Sequence, residues 1–433
     1  MLDDQGASGG QIYRAIESIP AERIKQLGGD YQRGHDLVKS FLRSAAEYHP
    51  YTSVWSIDDR LEIGLLQRDQ ARVISADHLL LASGAIERPV PFSGWTLPGV
   101  MNAGAGQIMF KQSGIIPEDG VVMAGSGPLL LLLAWQYLHA GVKIRALLDT
   151  SPYHNLLRAL PHLPRALMAH HYITRGLHYQ NMIKLAGVPI IKGVSRLTAH
   201  GEGKLEKISY RRHGQSREIE TDLLLVHFGV LPHTHLSRAA GCKHVWDNNQ
   251  QCLRPLLDEW GESSQSRLFI AGDNAGIGGA RSAEHAGRLA AFQILYQQGI
   301  IGQKQRDREA SKDRKWMRDD LHIRPFLEAF FRISDDLLQV ADDDTLVCRC
   351  EEVSAGQIRA AVADGHDDSN QVKFLTRCGM GPCQGRQCAE AVSHIVAAAS
   401  GKAVQDIGHY RQRPPVNPLT LGQLAGMHSE ETE

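Results

Sequence analysis

Five of the seven cysteines lie between Cys348 and Cys388, and thiolates are strong ligands for iron and for zinc. Four of them form two close groups, Cys348-x-Cys350 and Cys383-x4-Cys388, with Cys378 just ahead of the second group. Four thiolates suit either a [2Fe–2S] cluster or a structural zinc ion. Zinc sites usually take paired cysteines about two to four residues apart, so a one-residue gap beside a four-residue gap favours the wider two-iron core. The sequence therefore predicts a site that carries electrons.

Spacing alone does not choose all four ligands. Cys378, Cys383 and Cys388 are equally spaced, so either neighbouring pair could bind the metal. A zinc ion, or reduced cysteines without a metal, remain alternatives. Both cysteine groups lead into predicted helices, one starting after an N-cap at Ser354 and one over residues 384–399. Helix N-termini beside the cysteines would stabilise an anionic cluster.

A second chemical motif lies in residues 121–150, VVMAGSGPLLLLLAWQYLHAGVKIRALLDT. A strand rich in β-branched residues runs into Gly125-Ser126-Gly127, an apolar helix follows, and a second strand ends at Asp149. This pattern predicts a βαβ dinucleotide-binding unit, in which the glycines approach a pyrophosphate and Asp149 binds a ribose. Leu130 stands where a third glycine is usual, which weakens the case for nicotinamide binding.

Two flanking segments read as strands that end in small residues. One is HLLLASG, ending at Ser83-Gly84, and the other is LFIAGD, ending at Asp273 and followed by Gly278-Gly279 and a predicted helix. Each segment alone is a weak signal, since ordinary buried strands also end in turn glycines. Their order around residues 121–150 makes them informative.

The cysteine segment VCRCEEV…TRCGMGPCQGRQC resembles the [2Fe–2S] domain of the bacterioferritin-associated-ferredoxin type. That domain occurs at the C-terminus of one family, which includes the A-type subunit of opine oxidase and the B-type subunit of hydrogen cyanide synthase and is related to the sarcosine oxidase α chain. The resemblance implies four metal ligands, which are Cys348, Cys350, Cys383 and Cys388. It also implies that Cys378 is not a ligand, because the family usually has a small residue there.

The motif order resembles the α/β flavoprotein plan in which an NAD-type domain is inserted into an FAD-binding domain. On this resemblance the FAD domain covers residues 1–118 and 228–300, the NAD-type domain 119–227, a charged helical linker 301–340, the [2Fe–2S] domain 341–405 and a tail 406–433. The implied FAD contacts are Asp4, Gly9, Gly10, Ser83, Gly84, Asp273, Gly278 and Gly279. Asp4 would be the ribose-binding acid at the end of the second strand. A complete βαβ unit needs about 30 residues or more, so we expect the first βα unit, and with it part of the FAD site, to be missing from this sequence.

Composition narrows the functional classes. A chain of 433 residues with 42% hydrophobic and 22% charged residues is typical of a multidomain globular protein. The net charge of −1 argues against a nucleic-acid partner. The longest apolar run, Pro128 to Trp135, is too short to span a bilayer, and the start does not read as a signal peptide. We expect a cytoplasmic location, with peripheral contact at the inner membrane compatible with it.

These observations favour an electron-transfer subunit of a heteromeric FAD and [2Fe–2S] dehydrogenase. The resemblance implies oxidation of a C–N bond in an opine, amino acid or secondary amine, with the substrate site on a partner subunit of the D-amino-acid-oxidase type. No general base or nucleophile stands out, so we predict no catalytic residue in this chain. Two alternatives are a self-contained NAD(P)H-dependent reductase, which Asp149 permits, and a non-catalytic scaffold with an empty FAD domain.

Overall fold

The computed structural model describes residues 1–427. The last six residues of the predicted tail, 428–433, lie outside the described part. The N-terminal region holds three helices and six strands, which are α1 (Ala21–Leu27), α2 (Gly29–Leu42), β1 (Thr52–Ile57), β2 (Glu62–Gln67), β3 (Gln70–Ser75), β4 (Leu79–Leu81), β5 (Ala85–Glu87), β6 (Val100–Asn102) and α3 (Ala103–Ser113). Strands β1, β2 and β3 form an antiparallel sheet in sequence order.

The predicted βαβ unit begins the next region. Its elements are β7 (Val121–Gly125), α4 (Pro128–His139), β8 (Ile144–Asp149), α5 (Asn155–Ala159), a 3₁₀ turn (Leu160–His162), α6 (Leu163–Leu167), α7 (His170–Leu185), β9 (Ile190–Lys192), β10 (Val194–His200), β11 (Lys207–Arg212), β12 (Gln215–Glu220) and β13 (Leu224–His227). All five residues of β7 are buried, as expected for a central parallel strand covered on both faces. Pro128 opens α4, where its missing N–H costs nothing.

The parallel sheet of this region has the order β6-β13-β7-β8-β9. In that order Gly125 at the end of β7 lies beside both His227 of β13 and Asp149 of β8. Leu130, at the position of the absent third glycine, is 1% exposed and packs in the core between α4 and the sheet. Strands β10, β11 and β12 form a separate antiparallel sheet.

The chain then returns to the first region. The elements are β14 (Val230–Pro232), α8 (His235–Ala239), β15 (His244–Asp247), β16 (Cys252–Pro255), β17 (Leu268–Ile270) and α9 (Ala280–Gln297). Strand β17 pairs in parallel with β4, and β14 pairs with β5. Because these partners lie before and after the five-stranded sheet in sequence, the second nucleotide-binding fold is inserted into the first, as predicted.

The segment predicted as a charged linker is part of the folded body. It forms α10 (Gln303–Leu321), α11 (Arg324–Phe330) and α12 (Asp335–Leu338). Helix α10 packs along α9, with Ala310 buried in a cluster with Trp260 and Leu289. Ile333 and Leu337 are buried with residues of β7, β8 and β10. The dense charges therefore mark the outer face of a packed helix rather than a free connection.

The cysteine region forms a small helical module with its own core. Its elements are β18 (Leu346–Cys348), β19 (Val353–Ser354), α13 (Ala355–Ala363), α14 (Ser369–Thr376), α15 (Ala389–Ser400), a 3₁₀ turn (Val404–Asp406) and α16 (Leu421–Ala425). Ser354 is the N-cap of α13 in a capping box with Gln357, as predicted. The second predicted helix starts at Ala389 rather than at residue 384, because Gln384 and Gly385 both have positive φ angles and form a turn.

The predicted boundary between module and tail at residue 405 is too early. Ile407 and Tyr410 are each 1% exposed and belong to the hydrophobic cluster that contains the cysteines. Val416 is fully buried, and its N–H donates to the carbonyl of Trp55 in β1. Residues 406–417 are therefore part of the folded body rather than a separate tail, because buried apolar side chains tie them to it.

Candidate functional site

Three cysteines of the module converge in its core. The sulfur atoms of Cys348, Cys378 and Cys388 all lie within 4.8 Å of one another, and all three residues are buried. Cys348 ends β18, and Cys388 is the N-cap residue of α15. Thiol hydrogen bonds from Cys378 and Cys388 hold the pKa of Cys348 far below its usual value. Within residues 1–427, this trio is the one group of three or more His, Cys or acidic side chains close enough to share a metal ion.

The other two predicted ligands form a second pair at the surface of the module. Cys350 is exposed and Cys383 half-buried, and the backbone and thiol of Cys383 both hydrogen-bond Cys350. Gly381 is so close to Cys350 that a side chain at position 381 would overlap its Cβ. The structure thus gathers all five cysteines, in a group of three and a group of two. The location of its sulfur atom does not distinguish Cys378 from the predicted ligands, because that sulfur lies with those of Cys348 and Cys388 in the buried group.

The donor set fits an iron–sulfur cluster chemically. Backbone N–H groups of Glu351 and Gly379 also hydrogen-bond the sulfur of Cys348, and such bonds to sulfur help to set cluster potentials. Around the thiols the core is apolar, with Val347, Val392 and Ile395 at most 1% exposed. Four or more thiols, N–H donors to sulfur and an apolar shell are the components that such a cluster needs.

The predicted flavin contacts after β4 and β17 meet at one edge, because the two strands are parallel neighbours. Asp273 accepts N–H groups from Gly278 at 3.0 Å and Gly279 at 2.8 Å, which fixes the turn before α9. Ser83 donates its hydroxyl to the carbonyl of His233 at 2.9 Å. The carbonyl of Gly84 accepts the N–H of His233 at 3.0 Å.

The N-terminal contacts are less regular than predicted. The expected strand at residues 1–4 is reduced to one isolated parallel bridge between Leu2 and His49. Asp4 is exposed and accepts a hydrogen bond from its neighbour Gln5, whereas burial raises the pKa of the half-buried Asp3. These features do not favour Asp4 over Asp3 as the ribose-binding acid.

The two predicted N-terminal loop glycines lie in a turn. Gly9 and Gly10 have φ angles of +119° and +57°. The carbonyl of Gly9 accepts the N–H of Tyr13, so this segment closes as a tight turn rather than as an extended loop.

One side chain joins the cysteine module to the flavin-type edge. Arg386 lies between Cys383 and Cys388, and its Nε donates to Nε2 of His233 at 3.4 Å. Burial and the Arg386 charge both lower the pKa of His233, so the imidazole is a neutral acceptor. Because the backbone of His233 bonds Ser83 and Gly84, a single imidazole separates the cysteine loop from this edge. His233 belongs to no sequence motif, and Arg386 lies within the cysteine motif without a role assigned to it, so sequence reasoning missed this contact.

The residues predicted for the second nucleotide site lie close together at the ends of β7 and β8. Gly125 and Gly127 have φ angles of +133° and +114°, and a side chain on Gly125 would overlap the carbonyl oxygen of His227. Asp149 is adjacent to Gly125, and its Oδ1 accepts the N–H of Ser151 at 2.9 Å. A loop of this shape at a helix N-terminus presents N–H groups to an anion.

Residues 330–332 of the same chain pass close to the Gly125–Gly127 loop. Ser126 donates its hydroxyl to the carbonyl of Phe331 at 3.4 Å. The side chain of Asn155 donates to the carbonyls of Phe330 and Arg332 at 3.2 and 2.8 Å. We call residues 330–332 the crossing segment. Its carbonyl groups accept hydrogen bonds from side chains on both sides of the loop's outer end.

Comparison with known proteins shows which families have this architecture. The family model for the pyridine nucleotide-disulphide oxidoreductases matches residues 12–290, and the model for the sarcosine oxidase A3 domain matches residues 343–427. The A-type subunit of opine oxidase from Rhizobium meliloti is 38% identical over 98% of this chain and 82% of its own length. The chain belongs to the family of A-type opine oxidase subunits.

Other relatives of this family agree. Hydrogen cyanide synthase subunit HcnB of Pseudomonas aeruginosa is 30% identical over 99% of this chain and 94% of its own length. Among solved structures, L-proline dehydrogenase from P. horikoshii superposes with a TM-score of 0.69 over 98% of this chain and 73% of that one, at 19% identity. The predicted family and fold class are confirmed, and the chain is a flavin-dependent oxidoreductase subunit.

Proposed function

We propose that this relative of the A-type opine oxidase subunits transfers electrons between a flavin and a [2Fe–2S] cluster held by Cys348, Cys350, Cys383 and Cys388. The observation that carries the proposal is the hydrogen bond from Arg386 to His233, which joins the cysteine loop to the edge formed by Ser83, Gly84 and Asp273. When bound, a [2Fe–2S] cluster accepts and releases single electrons. The protein excludes water from the sulfur atoms of Cys348 and Cys388 and fixes the cysteine loop against the nucleotide-binding fold.

The same proposal assigns the flavin contacts to Ser83, Gly84, Asp273, Gly278 and Gly279, with the N-terminal segment containing Asp4, Gly9 and Gly10 beside them. Helix α9 has 18 residues and begins directly after Gly279, so its positive end faces this edge. A Cβ at Gly279 would meet no atom within 4 Å, which leaves open space in front of the helix. That space suits the anionic part of a flavin nucleotide.

We further propose that the substrate is an opine or a related amino acid or secondary amine, oxidised at a C–N bond on a FAD-dependent partner of the D-amino-acid-oxidase type. The relatives that support this are subunits of an opine oxidase and of a hydrogen cyanide synthase. Two imidazoles near the cysteine loop are hydrogen-bonded: the buried His235 bonds a carbonyl of that loop, and the half-buried His244 bonds Ser237. Neither is free to act as a general base.

The test is to purify the full chain and to measure iron, acid-labile sulfide and the visible and paramagnetic spectra. Two irons and two sulfides per chain are expected. Cys383→Ser should abolish the paramagnetic signal of the reduced protein, and Cys378→Ala, in the same module, is the matched control that should keep it. Zinc in place of iron, or loss of the signal in Cys378→Ala but not in Cys383→Ser, would refute this ligand assignment.

The same preparation separates the two rival functions. Flavin and cluster bands together support electron transfer, and bleaching by an added amine substrate only after addition of the partner subunit supports the division of labour. Rapid bleaching by NADH alone would instead identify a self-contained reductase. Cluster bands without flavin, with no electron transfer from the reduced partner, would identify a scaffold.

For location, we propose a cytoplasmic protein that touches the membrane surface through α5 and α6. Within residues 1–427, no helix is long and apolar enough to cross a bilayer. However, α5 and α6 and the residues beside them expose several large apolar side chains by 48–69%, which are Leu156, Leu157, Leu160, Leu167 and Met168. From Thr150 to Gly201 the sequence contains no Asp or Glu, and Arg158 and Arg165 lie among the exposed leucines. Apolar side chains flanked by basic ones match an anionic lipid surface.

Vesicle sedimentation tests this location. The full chain should bind vesicles that contain phosphatidylglycerol and bind pure phosphatidylcholine weakly. Leu157→Gln with Met168→Gln should reduce binding, whereas Leu421→Gln, which alters another exposed leucine, should not. Equal sedimentation of both variants, or no binding of the wild-type chain, would contradict the proposal.

A further inference from the structure

Behind the Gly125–Gly127 loop lies a pair of buried side chains that no flavin or cluster contact uses. Glu87 ends β5 and His227 ends β13, and Oε1 of Glu87 lies 2.6 Å from Nδ1 of His227. The second carboxylate oxygen of Glu87 accepts the N–H of Gly104 at 2.8 Å, in the first turn of α3. The side chains of Glu87 and His227 are 11% and 3% exposed. Glu87 is thus fixed on both of its oxygen atoms.

This arrangement sets the orientation of the imidazole. An ionised carboxylate only accepts hydrogen bonds, so Nδ1 of His227 carries the proton that points to Glu87. The other ring nitrogen, Nε2, then faces away from Glu87. Throughout residues 1–427, it makes no hydrogen bond to a protein group. Leaving a ring nitrogen of a buried side chain without a hydrogen bond costs free energy, unless a ligand or a water molecule supplies that bond.

The free nitrogen faces the phosphate-binding loop. A Cβ built on Gly127 would lie 3.5 Å from Nε2 and from Cδ2 of His227. In a Gly-x-Gly loop the second glycine lacks a side chain so that a pyrophosphate can approach the backbone there. Gly127 is also the N-cap residue of α4, a helix of 12 residues, so the positive end of that helix faces the same space.

Further partnerless polar atoms lie on the other side of the loop. Buried oxygen atoms of Thr150, Ser151 and Asn155 have no hydrogen-bond partner within the described part of the chain, and all three residues lie just after β8. The N–H of Thr150 donates to the carbonyl of Gly125 at 3.0 Å, so this segment is adjacent to the loop. Buried polar atoms without a partner on one side of the loop, and the unbonded Nε2 of His227 on the other, indicate a bound polar molecule between them.

We propose that His227, oriented by Glu87, binds a phosphate group of a nucleotide held at the Gly125–Gly127 loop. His227 contacts the ligand, and Glu87 is the positioning residue that holds the imidazole with Nε2 directed at the loop. With Nδ1–H donated to Glu87, only the imidazolium form also carries a proton on Nε2, so His227 binds as the imidazolium, and its Nε2–H donates a charge-assisted hydrogen bond to a phosphate oxygen, in addition to the N–H groups at the start of α4. This assignment is independent of the cysteine ligands and of the flavin edge.

The test compares nucleotides with and without phosphate on the full chain, by calorimetry. The probes are NAD⁺, ADP and adenosine. Loss of one charge-assisted hydrogen bond should weaken ADP and NAD⁺ binding by about 10-fold or more in His227→Ala. Adenosine binding should not change, because adenosine has no phosphate. His200→Ala removes a half-buried histidine that bonds Ser209 in the β10–β11 sheet, and should bind all three probes like the wild type.

Two further variants separate ligand binding from folding. His227→Gln keeps an amide donor and should retain more ADP affinity than His227→Ala at a similar melting temperature. Glu87→Gln should weaken ADP binding by less than His227→Ala does, again without a change for adenosine. If His227→Ala lowers the affinity for adenosine and ADP equally, or if the wild-type chain binds neither NAD⁺ nor ADP, the proposal is refuted.

Discussion

The ion pair between Arg88 and Glu390 should dominate the attachment of the cysteine module to the nucleotide-binding body. Arg88 follows β5 in the body and Glu390 lies in the first turn of α15, and their side chains are 4% and 13% exposed. The guanidinium also donates to the carbonyls of Gln250 at 2.8 Å and Gln251 at 3.2 Å. Burial lowers the pKa of Arg88 to about 10, which leaves it charged at neutral pH.

Glu390→Gln removes the carboxylate that pairs with this guanidinium and changes the volume little. Removing one partner of a buried ion pair costs about 3–5 kcal/mol, because the other charge remains buried without compensation. That is a large share of the roughly 5–15 kcal/mol that stabilises a typical domain. We therefore expect Glu390→Gln to destabilise the module strongly.

The assay is urea unfolding followed by tryptophan fluorescence. The fluorescence of Trp246 reports on the interface between the body and the cysteine module. Its ring stacks on that of His409, with 5.8 Å between the ring centroids, and meets the ring of His394 edge-on. The matched control is Asp342→Asn, which breaks the ion pair of Asp342 with Arg196 between the module segment and β10, where the side chains are 46% and 51% exposed. Such exposed pairs contribute about 1 kcal/mol or less.

The double variant Arg88→Met with Glu390→Leu should recover part of the loss, since replacing both charges by apolar groups removes the uncompensated charge. A cost for Glu390→Gln as small as that of Asp342→Asn would refute the reasoning. So would a double variant less stable than Glu390→Gln alone.

Three further outcomes follow from single features. Burial lowers the pKa of Lys111 from 10.5 to about 7, so the native state binds this proton less tightly than the unfolded state does. The free energy of unfolding should therefore rise between pH 7 and pH 10.5. In urea titrations over this pH range, Lys111→Met should not show that rise. Gly125→Ala should lower the free energy of unfolding by about 2 kcal/mol or more in thermal unfolding, because its Cβ would overlap the His227 carbonyl. Gly10→Ala, with no atom within 4 Å of its Cβ, should lower it by about 1 kcal/mol or less. Equal losses for the two variants would contradict the geometry. Any nicotinamide nucleotide bound beside Asp149 should be the unphosphorylated form, since the carboxylate repels a 2′-phosphate, and tighter binding of NADPH than of NADH in a fluorescence titration would disprove this.

Local sequence patterns were sufficient to predict those parts of the fold that are contiguous in sequence. The βαβ unit at residues 121–150 and the Ser354 N-cap follow from strand and helix signals within about 30 residues. The insertion of one nucleotide-binding fold into the other followed from the resemblance, and the pairing of β4 with β17 agrees with it.

The contacts that connect these parts had no local signal. Arg386 meets His233 across 153 residues, and Glu87 meets His227 across 140 residues. Arg386 lies within the cysteine motif, but the motif does not reveal its partner, and the other three residues read as ordinary surface or core positions. The position of Cys378 was likewise hidden, because three equally spaced cysteines do not reveal which sulfur atoms the intervening turn brings together.

The path of the C-terminal segment has a consequence for the order of assembly. The ring of Tyr410 lies against Gly379 and Gly385 of the cysteine loop, and Arg386 donates to the carbonyl of Val416 and, at 2.6 Å, to the side chain of Asn417. Asn417 in turn bonds the carbonyl of Val54 in β1, near the other end of the chain. Tyr410 and Asn417 follow the cysteines in the sequence, so the cysteine loop is synthesised before the segment that covers it. We therefore expect a metal to reach the cysteines more easily before residues 410–417 pack over the loop than afterwards.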